Sequence, residues 1–146
     1  MKSKSQAAVE TFLSGYNCAQ SVLLSHFDET QMDKNIALKL SCGFGAGMGR
    51  NEEVCGAVSG GIIAIGLKHG KGINDTDSNK EKTYKLTKEL MNRFESKHGT
   101  YICRKLLRDC DLMTENGQQY FIENDLKTKV CCECIKSAVE ILEDIL

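Results

Sequence analysis

The chain has 146 residues, enough for one ordinary domain with a sizeable core. Its 19 Lys and Arg nearly cancel its 20 Asp and Glu, so it lacks the basic excess that nucleic-acid binding or attachment to a membrane surface needs. Aromatics are only 6%, and proline and tryptophan are absent, which turns the reading away from loop-rich sandwiches and barrels and toward an all-α fold; the abnormal entries are 8 Cys and 13 Gly.

From the N-terminus, Val9, Phe12, Leu13, Tyr16, Ala19, Leu23 and Phe27 recur at three- and four-residue steps and predict one amphipathic helix from Ser5 to about His26. Cys18 falls opposite that stripe, facing a second packing partner, a cavity or a dimer contact. A second helix is expected over Met32–Leu40. It ends in Gly43-Phe44-Gly45-Ala46-Gly47-Met48-Gly49-Arg50, where four alternating glycines (Gly43, Gly45, Gly47, Gly49) make a tight linker. That linker lacks the register of GxGxxG, a preceding strand and a Gly-Lys-Ser/Thr, so nucleotide binding is not its reading.

Asn51 then reads as a helix cap, with Glu52 and Glu53 in the positive first turn. The helix runs through Cys55-Gly56-Ala57-Val58-Ser59-Gly60 to Leu67, apolar nearly all round. It is the expected central helix, with Gly56 and Gly60 letting neighbours or another sulfur come close. A helix over Lys80–His98 follows, with Tyr84, Thr87, Leu90, Met91 and Phe94 inward and Gly99 as C-cap. Thr100 is expected to start a short helix through Leu107, and Asp109–Asn124 a polar stretch anchored by Phe121 and Ile122. Thr128 is expected to cap a last helix, Val130–Leu146, with Ile135, Ala138, Val139, Leu142 and Ile145 on one face. The sum is a single-domain, all-α bundle of about five to six helices around a Gly/Ala-rich central helix, spanning 1–146.

The N-terminal residues show no signal-peptide core, and the longest apolar run, Val54–Leu67, is short for a membrane span and broken by Ser59 and glycines. The expected location is therefore the cytoplasm, without membrane insertion. In that reducing compartment eight cysteines point to redox chemistry or metal binding more than to a disulfide framework. His26, His69 and His98 all sit at helix ends, where a cation offsets the C-terminal dipole.

Cysteine works as thiolate, so the deprotonating environments matter. Cys103, three residues past Thr100 and beside Arg104, Lys105 and Arg108, is expected to be the best-activated thiol, alkylated faster than Cys42 below pH 7. For Cys55 the helix start and the neighbouring Glu52 and Glu53 oppose one another, leaving the sign open. Cys131 and Cys134, within Cys131-Cys132-Glu133-Cys134, lie one turn apart, a spacing that forms a disulfide or shares a metal, and Thr128, Lys127 and Lys129 favour thiolate there. Cys42 and Cys110 carry no specific signal.

Taken together, Gly15-Tyr16-Asn17-Cys18-Ala19-Gln20, the glycine linker, Cys55-Gly56-Ala57-Val58-Ser59-Gly60, Gly66-Leu67-Lys68, Cys103-Arg104-Lys105-Leu106-Leu107 and Val130-Cys131 resemble the C-GCAxxG-C-C family of small bacterial, redox-active proteins. The resemblance implies four signature cysteines at Cys18, Cys55, Cys103 and Cys131; it names a class and not a reaction. Cys132, Cys134 and Cys42 are additions to that pattern.

Three readings follow. In the leading one the four cysteines converge on a partly open pocket bounded by the glycine linker (Gly45, Gly47, Gly49). Cys103 attacks a disulfide or oxidised substrate, Cys55 or Cys131 resolves it, Cys134 supports, and no cofactor is required. In the second the same four ligate zinc or an iron–sulfur cluster. In the third the bundle is a non-catalytic partner-binding scaffold. The expected partner is a redox protein or a small thiol or disulfide, with a homodimer as one arrangement.

Overall fold

The computed structural model describes residues 1–146. It contains eight helices and no strand: α1 (Lys4–Leu13), α2 (Cys18–Ser25), α3 (Lys34–Cys42), α4 (Gly56–His69), α5 (Asp77–His98), α6 (Cys103–Leu106), α7 (Glu115–Glu123) and α8 (Cys132–Ile145). The all-α expectation holds, and the count of five to six was low for identifiable reasons.

The long first helix is two. Gly15 turns the chain at φ 120°, and Asn17 restarts it with a reciprocal cap: its side chain accepts from the Gln20 N–H, and the Gln20 side chain accepts from the Asn17 N–H. Cys18 is therefore the first residue of α2 and not a side position of a longer helix. The segment Asp109–Asn124 holds a helix, α7, capped by Thr114. Ile122 on it is 75% exposed and anchors nothing. On α5 the buried residues are Leu86, Leu90 and Phe94, whereas Tyr84 faces solvent. Gly99 does close α5, at φ 83°.

α4 is the central helix, packed against α2 on one side and α5 and α8 on the others. A Cβ on Gly60 would run into the Ala19 carbonyl, so this glycine is what lets α2 lie against α4. Gly56 does the same for Cys18, whose Cβ would be 3.1 Å from a Cβ at that position. The helix starts at Gly56 with Cys55 at its N-cap, later than Asn51. Between α3 and α4 the backbone instead runs left-handed, with positive φ at Ala46, Gly47, Met48, Gly49, Arg50 and Glu52. Gly47 admits the Glu52–Glu53 backbone, 2.5 Å from where its Cβ would stand. The glycine linker is thus a coiled turn that folds the chain back on itself.

The apolar interior is divided. A main cluster of 21 buried residues joins α1, α2, α4, α5 and α8, with Ala37 of α3 at its side. A second, of five, holds Cys103, Leu107, Cys110, Leu112 and Leu126 beneath α6 and α7. This division departs from the single bundle expected. No helix is long and apolar enough to cross a membrane.

The last helix is entered through a π-helical turn, Lys127–Cys131, that runs directly into α8. Thr128 lies inside that turn and caps nothing. The apolar face of α8 is as expected for Ile135, Ala138, Val139 and Leu142, all fully buried. At the helix-end histidines the cationic form is disfavoured. Desolvation lowers all three, His26 to about 4, and His98 instead packs on Phe94 and meets the Ser137 hydroxyl at 2.8 Å.

Candidate functional site

A cavity of about 450 Å³ opens at the seam between the two apolar clusters. Cys18, Cys55, Cys103, Cys131 and Cys134 all line it; Cys42, Cys110 and Cys132 do not. Ala46 and Arg50 of the left-handed turn form part of its wall. Sequence positions more than a hundred residues apart therefore share one space.

Backbone pairing explains how the loops bearing Cys55 and Cys103 come together. Val54 and Ile102 form an isolated antiparallel bridge. The Cys55 N–H donates to the Tyr101 carbonyl at 2.8 Å, and the Cys103 N–H to the Glu53 carbonyl at 2.7 Å. Each of these cysteines uses its own amide to hold the other's loop. Glu52, expected in an exposed first turn, is instead buried. Its Oε1 accepts from the Leu112 N–H at 2.8 Å and stands 2.9 Å from Arg104 Nε. Arg104 also donates to Asp111 at 3.1 Å. No sequence signal marked this pair, because Asn51-Glu52-Glu53 reads as an ordinary helix start.

The thiols differ sharply in their readiness to ionise. Cys55 is held below the ordinary thiol range: the Cys134 S–H donates to its sulfur, and the Ala57 and Val58 N–H groups at the start of α4 point at it, together outweighing desolvation. Cys134 is pushed the other way by that hydrogen bond and by burial. Cys18 is raised by donating to Cys131 and then by burial. Cys103, expected to be the activated thiol, is raised well out of the usual range. Burial dominates, the neighbouring cysteine sulfurs and Glu52 add to it, and Arg104 offsets only part. Thr100 does not cap α6, which is a single turn, so the expected dipole support is slight. Much of the positive charge of Arg104 is taken up by Glu52 and Asp111.

All eight cysteines are free thiols. The two sulfurs of the CxxC have different nearest partners: Cys134 acts on Cys55 at the N-cap of α4, and Cys131 on Cys18 at the start of α2. Cys132, next to them, turns into the main core. No three of the cysteine, histidine, aspartate or glutamate side chains stand close enough to enclose a metal ion.

Stability should fall in alkali. Cys18, Cys103 and Cys134 have folded pKa values above their unfolded ones, so they are kept protonated as pH rises, while in the unfolded chain they ionise near pH 9. The unfolded state then binds fewer protons, and each such thiol removes up to about 1.4 kcal/mol per pH unit above that point. Cys55, with a depressed value, has the opposite sign: its contribution is present above its unfolded pKa and lost as pH falls through the folded one. Burial raises Cys110 and Cys132 as well, so five raised thiols outweigh one lowered. Urea unfolding under argon should show a lower midpoint at pH 10 than at pH 8; a higher one would contradict the assigned directions.

Residues 16–145 match a family model described as "Putative redox-active protein (C_GCAxxG_C_C)". No curated protein and no solved structure matches the chain.

Proposed function

The chain belongs to the C_GCAxxG_C_C family of redox-active proteins, and from that premise we propose that it is a thiol–disulfide redox protein in which Cys55 is the attacking thiolate and Cys134 the resolving thiol. The observation that carries the reading is the single cavity that Cys18, Cys55, Cys103, Cys131 and Cys134 all line; within it the neighbouring Cys134 thiol holds the Cys55 sulfur below the ordinary thiol range. The Cys55 thiolate attacks one sulfur of a substrate disulfide. A mixed disulfide forms, the substrate's S–S bond breaks, and the first substrate thiolate leaves and takes up a proton. Once the Cys55 sulfur carries a substituent, its negative charge is gone and with it the main reason for Cys134 to stay protonated as donor. Cys134 then gives up its proton and attacks the Cys55 sulfur, releasing the second substrate thiol and leaving a Cys55–Cys134 disulfide. The two cysteines supply two electrons, and the substrate disulfide becomes two thiols.

Cys18 and Cys131 form a second dithiol beside the first, so the oxidised pair has a neighbour with which it can exchange. Cys103 serves as a buried wall of the site and not as its nucleophile.

The test is stoichiometric oxidation with one equivalent of a small disulfide, followed by acid quenching and peptide mapping. The expected product is the Cys55–Cys134 crosslink, with substrate thiol released at two per protein. A Cys131–Cys134 crosslink as the first product would overturn the assignment, and eight unchanged thiols would overturn the redox reading altogether.

A further inference from the structure

We infer that the cavity selects a small organic disulfide with an apolar, aromatic-sized body and a negatively charged group, in preference to a protein disulfide. The inference rests on the thiol reading above and gives it a substrate class. Three features of the cavity carry it.

The first is access. Cys55 is 6% exposed and Cys134 2%, so neither sulfur protrudes. A disulfide on a folded protein surface is reached by a sulfur that stands proud of its own surface; here the disulfide must come in. A volume of about 450 Å³ lies in the range of small-molecule sites. The second is the lining. Phe12, Tyr16, Leu107, Phe121 and Val130 surround the sulfurs, and 14 of the 20 lining residues are hydrophobic. Tyr16 and Ile122 remain exposed at the mouth, apolar surface that an entering ring would cover.

The third is charge. Arg50 and Lys127 are the only ionic side chains on the wall, and no carboxylate lines it. Neither cation takes part in an ion pair with any acid of the chain. Lys127 stands over the Phe12 ring, 5.0 Å from its centroid, and is half-buried there. Arg50 is held at the mouth by the left-handed turn, with φ 67°. Two uncompensated cations facing an apolar space that contains a thiolate favour an anionic ligand; they also offset the repulsion that an anionic disulfide would otherwise meet at the Cys55 sulfur.

The experiment compares three disulfides on the reduced full-length protein: 5,5′-dithiobis(2-nitrobenzoate), aromatic and anionic; 4,4′-dithiodipyridine, aromatic and neutral; and cystamine, aliphatic and cationic. Rates of Cys55 modification, followed by mass spectrometry, are each divided by the rate with a free small thiol to remove intrinsic reactivity. The normalised rate should be highest for the aromatic anion and lowest for cystamine, with roughly a tenfold or greater spread, since two charges facing one another across a screened site act at this scale. The double variant Arg50→Glu/Lys127→Glu should erase or invert the order. Raising NaCl from low to high concentration should compress it in the unaltered protein, a readout that depends on no variant's folding. The same normalised rate for all three, or an order insensitive to both salt and charge reversal, would overturn the substrate class while leaving Cys55 reactive. Faster exchange with the interchain disulfides of insulin than with the aromatic anion would also overturn it. Absence of any Cys55 modification would instead strike the thiol reading on which it rests.

Discussion

Iodoacetamide at pH 6 should alkylate Cys55 ahead of the chain's other thiols, and Cys55→Ala should remove that fast phase while Cys103→Ala keeps most of it. At pH 6 an ordinary thiol is less than about 1% ionised, and each unit by which a pKa is lowered raises the thiolate fraction about tenfold. Exposure works against Cys55, which is buried, and in favour of Cys42, which lies open on the surface. Ionisation should nevertheless decide the order, because the cavity gives a small reagent a path to the Cys55 sulfur. The hydrogen bond from Cys134 supplies a second arm. Cys134→Ala removes the donor and keeps the helix N–H groups, so the Cys55 rate at pH 6 should fall by about three- to tenfold and its pH profile should move toward alkali. Peptide mapping of brief alkylation reads both. If Cys103 reacts first, or if Cys134→Ala leaves the profile where it was, the assignment of the nucleophile is wrong.

The helical class was legible because its evidence is local: apolar residues at helical spacing, glycine closing α5, and no alternating run anywhere. Gly56 and Gly60 were also readable as places of close approach, and each does admit α2. The break between α1 and α2 was written in the chain too, as Gly15 followed by Asn17 and Gln20 at capping-box spacing. It is masked because the apolar stripe continues across it, since both helices face the same core.

The electrostatics were not legible. Local charges around Cys103 suggested a thiolate, but two of the relevant facts are tertiary: the sulfur is buried, and the guanidinium beside it is committed to Glu52 and Asp111. For Cys55 the decisive partner is 79 positions away on α8, and nothing in Cys131-Cys132-Glu133-Cys134 says which sulfur will face which helix. The π turn Lys127–Cys131 runs directly into α8, so the phase of Cys131 against that helix differs from the phase of a regular α-helix.

Arg104→Ala should be the most damaging single change at the site, costing about 3–5 kcal/mol, because it leaves the Glu52 carboxylate buried without its cation. The Glu52 side chain is wholly inaccessible and Arg104 about one-third exposed, so the two ends of the pair are not equivalent. Glu52 Oε2 already has no hydrogen-bond partner; without Arg104 the only direct support left is the Leu112 N–H on Oε1. Glu52→Gln should cost less, about 1–3 kcal/mol, since the amide oxygen still accepts from Leu112 and Arg104 keeps Asp111 and partial contact with water. The double variant should then be more stable than Arg104→Ala alone, by removing the orphaned charge. The consequence reaches the site, because the Glu52 and Glu53 carbonyls take the amides of Arg104 and Cys103 at 3.1 and 2.7 Å. Loosening this junction frees the Cys103 loop from the start of α4, so Arg104→Ala should also slow Cys55 modification even at temperatures where the fold survives. Urea unfolding of the three variants, with Cys55 alkylation measured on each, checks both parts. Equal losses from Arg104→Ala and Glu52→Gln, with no recovery in the double variant, would show that the carboxylate is not held as a buried charge.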